Sequence, residues 1–214
     1  MRNSLLSSLL CLLFLAGCSI KEMRNYQKIE KIAYSSNELK SVFNNNSKSI
    51  LFNAEITFYS NYFSGLMVFK QMEDSSSRVV FTTQFGLKIF DFEFKGNDFT
   101  VKYCVEQLNK KSITNTLKRD IQLLLMNDIK AHTLIRYKNI ENSHLMVLKA
   151  KATTGCNYYF SDMNTSINQI IKAGILRKKV NISFFGLPNE FPDSIKIEHY
   201  NIKLNIDMKH IKRE

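Results

Sequence analysis

The chain has 214 residues, 44% of them apolar and 23% charged, with 7 Gly, 2 Pro and a net charge of +11 at pH 7. That length and apolar content support one domain with a real core, and the scarcity of Gly and Pro excludes a linker-rich or low-complexity chain. The basic balance suits nucleic acid, an anionic membrane face or simply a solvated lysine-rich surface.

At the N-terminus, Arg2 gives a positive flank and Leu5 to Leu15 form an apolar run interrupted by Ser7 and Ser8. Ala16 and Gly17 are the small residues that a signal peptidase needs near its cut. The run is short for a bilayer span, and no later apolar run reaches transmembrane length. Leu15-Ala16-Gly17-Cys18 resembles the lipobox of bacterial lipoproteins. The resemblance implies residues 1–17 as a signal peptide, a diacylglycerol (with palmitate-type acyl chains) on Cys18, and a mature protein tethered to a membrane. An ordinary cleaved signal peptide shares the apolar run but does not call for the cysteine. Ser19 stands where an aspartate would retain enterobacterial lipoproteins at the inner membrane, which points to an outer-membrane anchor facing the periplasm. A secreted, lipid-anchored chain rarely meets nucleic acid, so a membrane is the favoured partner of the charge.

Residues 18–35 read as a lipidated tether. Ser35, Ser36 and Asn37 can cap a short helix carrying Leu39, Val42 and Phe43, which Asn44-Asn45-Asn46-Ser47 ends. From residue 51 the period is two. Strands are expected at 51–58, 63–70, 78–83, 87–94 and 99–103, with a bend at Gly65 and a hairpin turn at 95–98. The period then becomes helical: Ser112 is a candidate N-cap, and Ile113, Leu117, Ile121, Leu124 and Leu125 build one stripe before Asn127-Asp128. Strands return at 133–137, 145–150, 156–160, 180–185, 195–197 and 202–208. Residues 167–175 fit a strand or a short helix, with Gly174 favouring the strand. The expected fold is mainly β: a curved antiparallel sheet of roughly ten strands, an unclosed half-barrel over residues 36–214, with one or two lid helices.

The run Phe63-Ser64-Gly65-Leu66-Met67-Val68-Phe69-Lys70, a polar turn, and Arg78 to Phe94 resemble the LolA/LolB group of periplasmic lipoprotein carriers and acceptors, most of all uncharacterised LolB-like lipoproteins of the Bacteroidetes type. The motif covers about 30 residues, and the order of elements extends it over most of 35–208. The resemblance implies an open barrel whose helices cover an apolar cavity for acyl chains, with acyl chains or lipoproteins as cargo and a LolA-like carrier as partner. It also implies an apolar side chain protruding from a loop just before a glycine, here Phe85 in Phe85-Gly86-Leu87, that inserts cargo into the outer membrane. Phe85 either projects in this way or folds back into the core. Alternation nominates Ile56, Phe58, Val68, Val80, Phe90, Phe92, Val101, Leu117 and Ile121 as cavity lining, or as ordinary core if the interior is filled. A structural or assembly lipoprotein that binds a protein partner without lipid cargo is the alternative function.

Nothing points to catalysis or to a cofactor. His132, His144, His199 and His210 are scattered without a metal-ligand spacing, and no nucleophile elbow or phosphate loop is present. Asp91 and Glu93 share a strand face, as acids on a solvent face usually do. Cys104 and Cys156 are a candidate disulfide, although alternation sets Cys104 beside Thr100 and Lys102 on the side expected to face solvent.

Overall fold

The computed structural model describes residues 20–33, 39, 41–43, 49–96, 98–126, 129, 133–152, 154–162, 166–175, 177–186 and 191–212. The leader, Cys18, His132 and most of the expected helix at 35–43 lie outside the described residues.

One antiparallel sheet carries the fold. In chain order its strands are β1 (Tyr26–Ala33), β2 (Ile50–Phe58), β3 (Asn61–Gln71), β4 (Ser77–Thr82), β5 (Lys88–Lys95), β6 (Asp98–Cys104), β7 (Thr133–Asn139), β8 (Leu145–Ala152), β9 (Gly155–Asp162), β10 (Ile167–Ala173), β11 (Lys178–Phe185), β12 (Ser194–His199) and β13 (Leu204–His210). Their spatial order is β1-β7-β8-β9-β10-β11-β12-β13-β2-β3-β4-β5-β6, so β1 and β6 are free edges and the sheet does not close. Among the described residues thirteen strands stand where roughly ten were expected, and the ambiguous stretch 167–175 holds strand β10, Ile167–Ala173. The single α-helix among the described residues, α1 (Lys111–Leu125), connects β6 to β7 and packs on one face, called inner here.

Local sequence explains most of this. β2 alternates Phe52, Ala54 and Ile56 inward with Asn53, Glu55 and Thr57 outward, and β13 pairs with it residue for residue. β5 sends Phe90, Phe92 and Phe94 inward, where Phe90 and Phe92 stack at 4.4 Å. The α1 stripe is buried as its spacing requires, with Ile113, Leu117, Ile121, Leu124 and Leu125 in the core. Ser112 is not the cap. The helix starts two residues earlier with Lys110 at the N-cap, and the Ser112 carbonyl accepts from Thr116 at 2.8 Å. Met126 closes the helix in the left-handed region at φ 55°, fully buried.

Two corrections concern position. The expected tether is partly built into the fold. Lys21–Met23 form a 3-10 turn, β1 pairs along β7, and Ile20 and Met23 pack on the outer face. The expected bend at Gly65 is a close approach: a Cβ there would collide with the Thr82 carbonyl, so only glycine lets the end of β4 lie against β3.

Candidate functional site

The inner face under α1 is the place that sequence reasoning nominated, and its side chains are packed. Ile56, Phe90, Phe92, Leu117 and Ile121 are all buried there, and Phe58 is half-buried against them. A wall of a water-sized cavity would keep accessible area, and Ile56 and Phe92 keep 0%. The gap between Phe43, Ile50, Phe69, Val79 and Leu125 measures about 10 Å³, at the lower limit for one water. Among the described residues, an acyl chain on this face would therefore have to displace packed side chains.

Two nominated residues are not on this face. Met67 and Phe69 point inward from β3, and Val79 and Phe81 from β4, so Val68 and Val80 pair with each other on the outer face. Met67-Val68-Phe69 and Val79-Val80-Phe81 are apolar at every position, so alternation could not choose the phase, and a slip of one residue changes the face. Val101 shares the inner face with its partner Phe92 but is solvent-accessible there, on the edge strand β6. On the same strand a register shift opposite Asp91/Phe92 turns Cys104 inward against the core.

That shift also bears on the cysteines. Cys104 packs with the inner core, whereas Cys156 sits in the outer cluster with Tyr158 and Phe160. The two are on opposite faces and no disulfide joins them. Burial pushes the Cys104 thiol up to about 11, so it is protonated at neutral pH and a poor nucleophile.

Sequence reasoning missed a buried polar contact between α1 and the sheet. Asp120 and His199 are both nearly inaccessible, and His199 Nε2 lies 3.2 Å from Asp120 Oδ1 and 3.1 Å from Oδ2. His199 Nδ1 lies 2.9 Å from the Leu204 carbonyl, so with Asp120 ionised the ring fits best as a double donor. Burial opposes the imidazolium, but the Asp120 hydrogen bond and charge outweigh it and raise the His199 pKa. Burial raises the Asp120 pKa, against the lowering pull of His199, Lys172 and Arg119. The strand register sets Asn157, Lys172, Val180 and His199 in one row, and Asp120 meets it from above. A signal existed: His199 continues the inward alternation of Ile195 and Ile197, and Asp120 adjoins Ile121 in the helix stripe.

On the outer face, Asp91 is buried, unlike the solvent-facing acid expected. Arg78 donates to it twice, at 2.8 and 2.7 Å, and Lys88 once at 2.9 Å. These partners, Arg78 first, hold its carboxyl down at about 2. Glu93 pairs with Lys102 at 3.1 Å. A groove of about 490 Å³ between Asn53, Glu55, Ser64, Gln84, Asp207 and Lys209 has a polar lining that suits water rather than an acyl chain. Among the described residues no three His, Cys, Asp or Glu side chains are grouped to hold a metal.

The β4–β5 turn is the most exposed apolar feature. Phe85 is 94% accessible and Leu87 70%. Gly86 takes φ +82°, the Gly86 amide donates to the Thr83 carbonyl at 3.0 Å, and the Leu87 amide donates to Thr83 Oγ1 at 3.1 Å. The turn is thus a closed, hydrogen-bonded tip that directs Phe85 away from the core, and the folded-back alternative is not adopted.

No family model matches the sequence, and neither does any curated protein. Among solved structures, the chain is similar to a LolA superfamily protein from Nitrosomonas europaea, at 9% identity over 84% of this chain and 90% of that one, with a TM-score of 0.44. It is also similar to a DUF1329 family protein from Desulfovibrio piger, at 6% identity over 82% and 92%, with a TM-score of 0.42.

Proposed function

We propose that the protein is a lipid-anchored, LolB-like factor that takes acyl chains or lipoprotein anchors between α1 and the inner face and aids their insertion into the outer membrane. The protruding Phe85-Gly86-Leu87 turn is the observation that carries this reading. Holding a Phe and a Leu in water forgoes roughly 1.5–3 kcal/mol of burial for each, which a membrane or a lipid would return. The resemblance of residues 63–94 to LolA/LolB proteins supports the same role, as does the lipobox at Cys18. A LolA-like carrier would hand over the cargo.

The mechanism needs no covalent chemistry. Lifting α1 uncovers Ile113, Leu117, Ile121, Leu124 and Leu125, a cost of roughly 10 kcal/mol at 1.5–3 kcal/mol for each side chain. An acyl chain sheltered in their place contributes about 0.8 kcal/mol per methylene, so a long chain offsets the opening. The Asp120–His199 contact would have to break as the helix moves.

Native mass spectrometry of the purified full chain tests cargo binding: an acyl ligand should co-purify, and a ligand-free protein that also rejects added fatty acid would sink the reading. Phe85→Glu should leave folding intact and abolish membrane delivery; unchanged delivery would remove the turn from the mechanism. The zero accessibility of Ile56 and Phe92 favours a second reading, an assembly lipoprotein that binds a protein partner and keeps its core closed.

A further inference from the structure

Antiparallel pairing sends successive turns to alternate ends of the sheet, and the two ends differ in chemistry. One end holds turns 59–60, 83–87, 174–177 and 200–203. It displays Tyr59, Phe85, Leu87, Ile175 (77% accessible) and Tyr200 to solvent. Backbone hydrogen bonds join neighbouring turns, from the Tyr200 amide to the Lys179 carbonyl at 2.9 Å and from the Tyr59 amide to the Lys203 carbonyl at 2.9 Å. Arg177, Lys179 and Lys203 stand on the same rim, and none makes a side-chain ion pair among the described residues. Glu106 is an acid of the loops here, and Glu22 is neutralised by Lys178 at 2.7 Å. The opposite end carries Glu73, Asp74, Asp98, Glu141, Asp162 and Asp193 in its turns or at its strand ends, with Asp74 paired to Lys95 at 2.9 Å and Asp193 to Lys212 at 3.0 Å.

We infer that the end bearing Tyr59, Ile175 and Tyr200 is a docking rim that seats the sheet end-on against an anionic lipid surface. Aromatic side chains interleaved with lysines and arginines match the interfacial layer of a bilayer, where rings sit at headgroup level and cations face anionic headgroups. Lys178 joins both features, with its ammonium 4.6 Å from the centre of the Tyr200 ring. At the far end Lys95 and Lys212 are held by Asp74 and Asp193, and Glu73, Asp98 and Glu141 add negative charge, so the charge distribution favours the rim as the side that meets the surface. On the outer face, the Glu22–Lys178 pair ties the 3-10 turn to the end of β11 at this rim. The rim extends the membrane contact proposed above from one turn to a surface, and it rests on that reading.

The chain contains no Trp, so single substitutions report depth without background. The full chain carrying Ile175→Trp or Tyr200→Trp, incorporated into phosphatidylcholine–phosphatidylglycerol vesicles with brominated acyl chains, should lose emission and shift to the blue. Ile140→Trp and Phe185→Trp at the far end should keep theirs. Equal quenching at both ends, or none at 175 and 200, overturns the rim. Phe85→Trp separates the two proposals: quenching at 85 with none at 175 and 200 leaves the insertion turn standing and removes the rim. Replacing Arg177, Lys179 and Lys203 together by Gln should reduce the preference for phosphatidylglycerol by about tenfold or more, and an unchanged preference also overturns it.

Discussion

The two halves of the sheet bury their surface differently. In β2, β3 and β13 only one face is covered, so buried and accessible residues alternate along the strands. In β9 nearly every residue is buried, because the inner face meets the main core and the outer face carries Val147, Cys156, Tyr158, Phe160, Ile171 and Ala173 beneath Ile20 and Met23. A one-sided strand shows its period in the sequence. A two-sided strand blurs it: β9 buries Cys156, Tyr158 and Phe160 on one face and Asn157, Tyr159 and Ser161 on the other, so burial does not follow an apolar period. The N-terminal segment that read as a tether is the second cover, and the two-sided half depends on it.

The difference makes substitutions unequal. Phe92→Ala, in the one-sided half and stacked on Phe90, should cost about 3–5 kcal/mol in urea unfolding. Phe160→Ala, whose ring meets Tyr26 edge-on at 5.8 Å, should cost less globally and release residues 20–26 first, visible as faster amide exchange there. An equal, fully cooperative loss would mean that the outer cover is no separate unit.

Asp120→Ala tests the contact that ties α1 to the row on β9–β12. Breaking a buried pair from one side should cost about 3–5 kcal/mol. The His199 pKa is raised on folding, so its contribution is complete below about 6.5 and is lost as pH rises through the folded value. The raised Asp120 pKa acts in the same direction, because the folded chain holds that proton more tightly. Unfolding followed from pH 6 upward should therefore show falling stability from this site, and His199→Gln should flatten that slope.

Gly65→Ala should cost about 1–3 kcal/mol, since the added methyl meets the Thr82 backbone. A crystal structure of the variant should show β4 shifted away from β3. Phe85→Ser should change stability by less than about 0.5 kcal/mol, because the ring touches little of the fold. A larger loss in thermal unfolding would show that the ring is packed in solution.

Much was legible from residues alone. Period-two alternation placed β2, β5 and β13, the 3.6 period placed α1 and its buried stripe, and the antiparallel order followed from short polar turns. The Phe85-Gly86-Leu87 tip was legible as a turn, and the address at Leu15 to Cys18 is read from sequence only. Tertiary structure decided what local pattern leaves degenerate. It chose the inward phase of Met67-Val68-Phe69 and Val79-Val80-Phe81, turned Cys104 inward by a register shift, and folded residues 20–33 into the sheet. It also brought Asp120 to His199 across 79 positions and gathered Tyr59, Ile175 and Tyr200 onto one rim. Local pattern records which side chains avoid water. Which face, partner or end they meet depends on pairings between distant strands, and those are settled by the packing of the whole sheet.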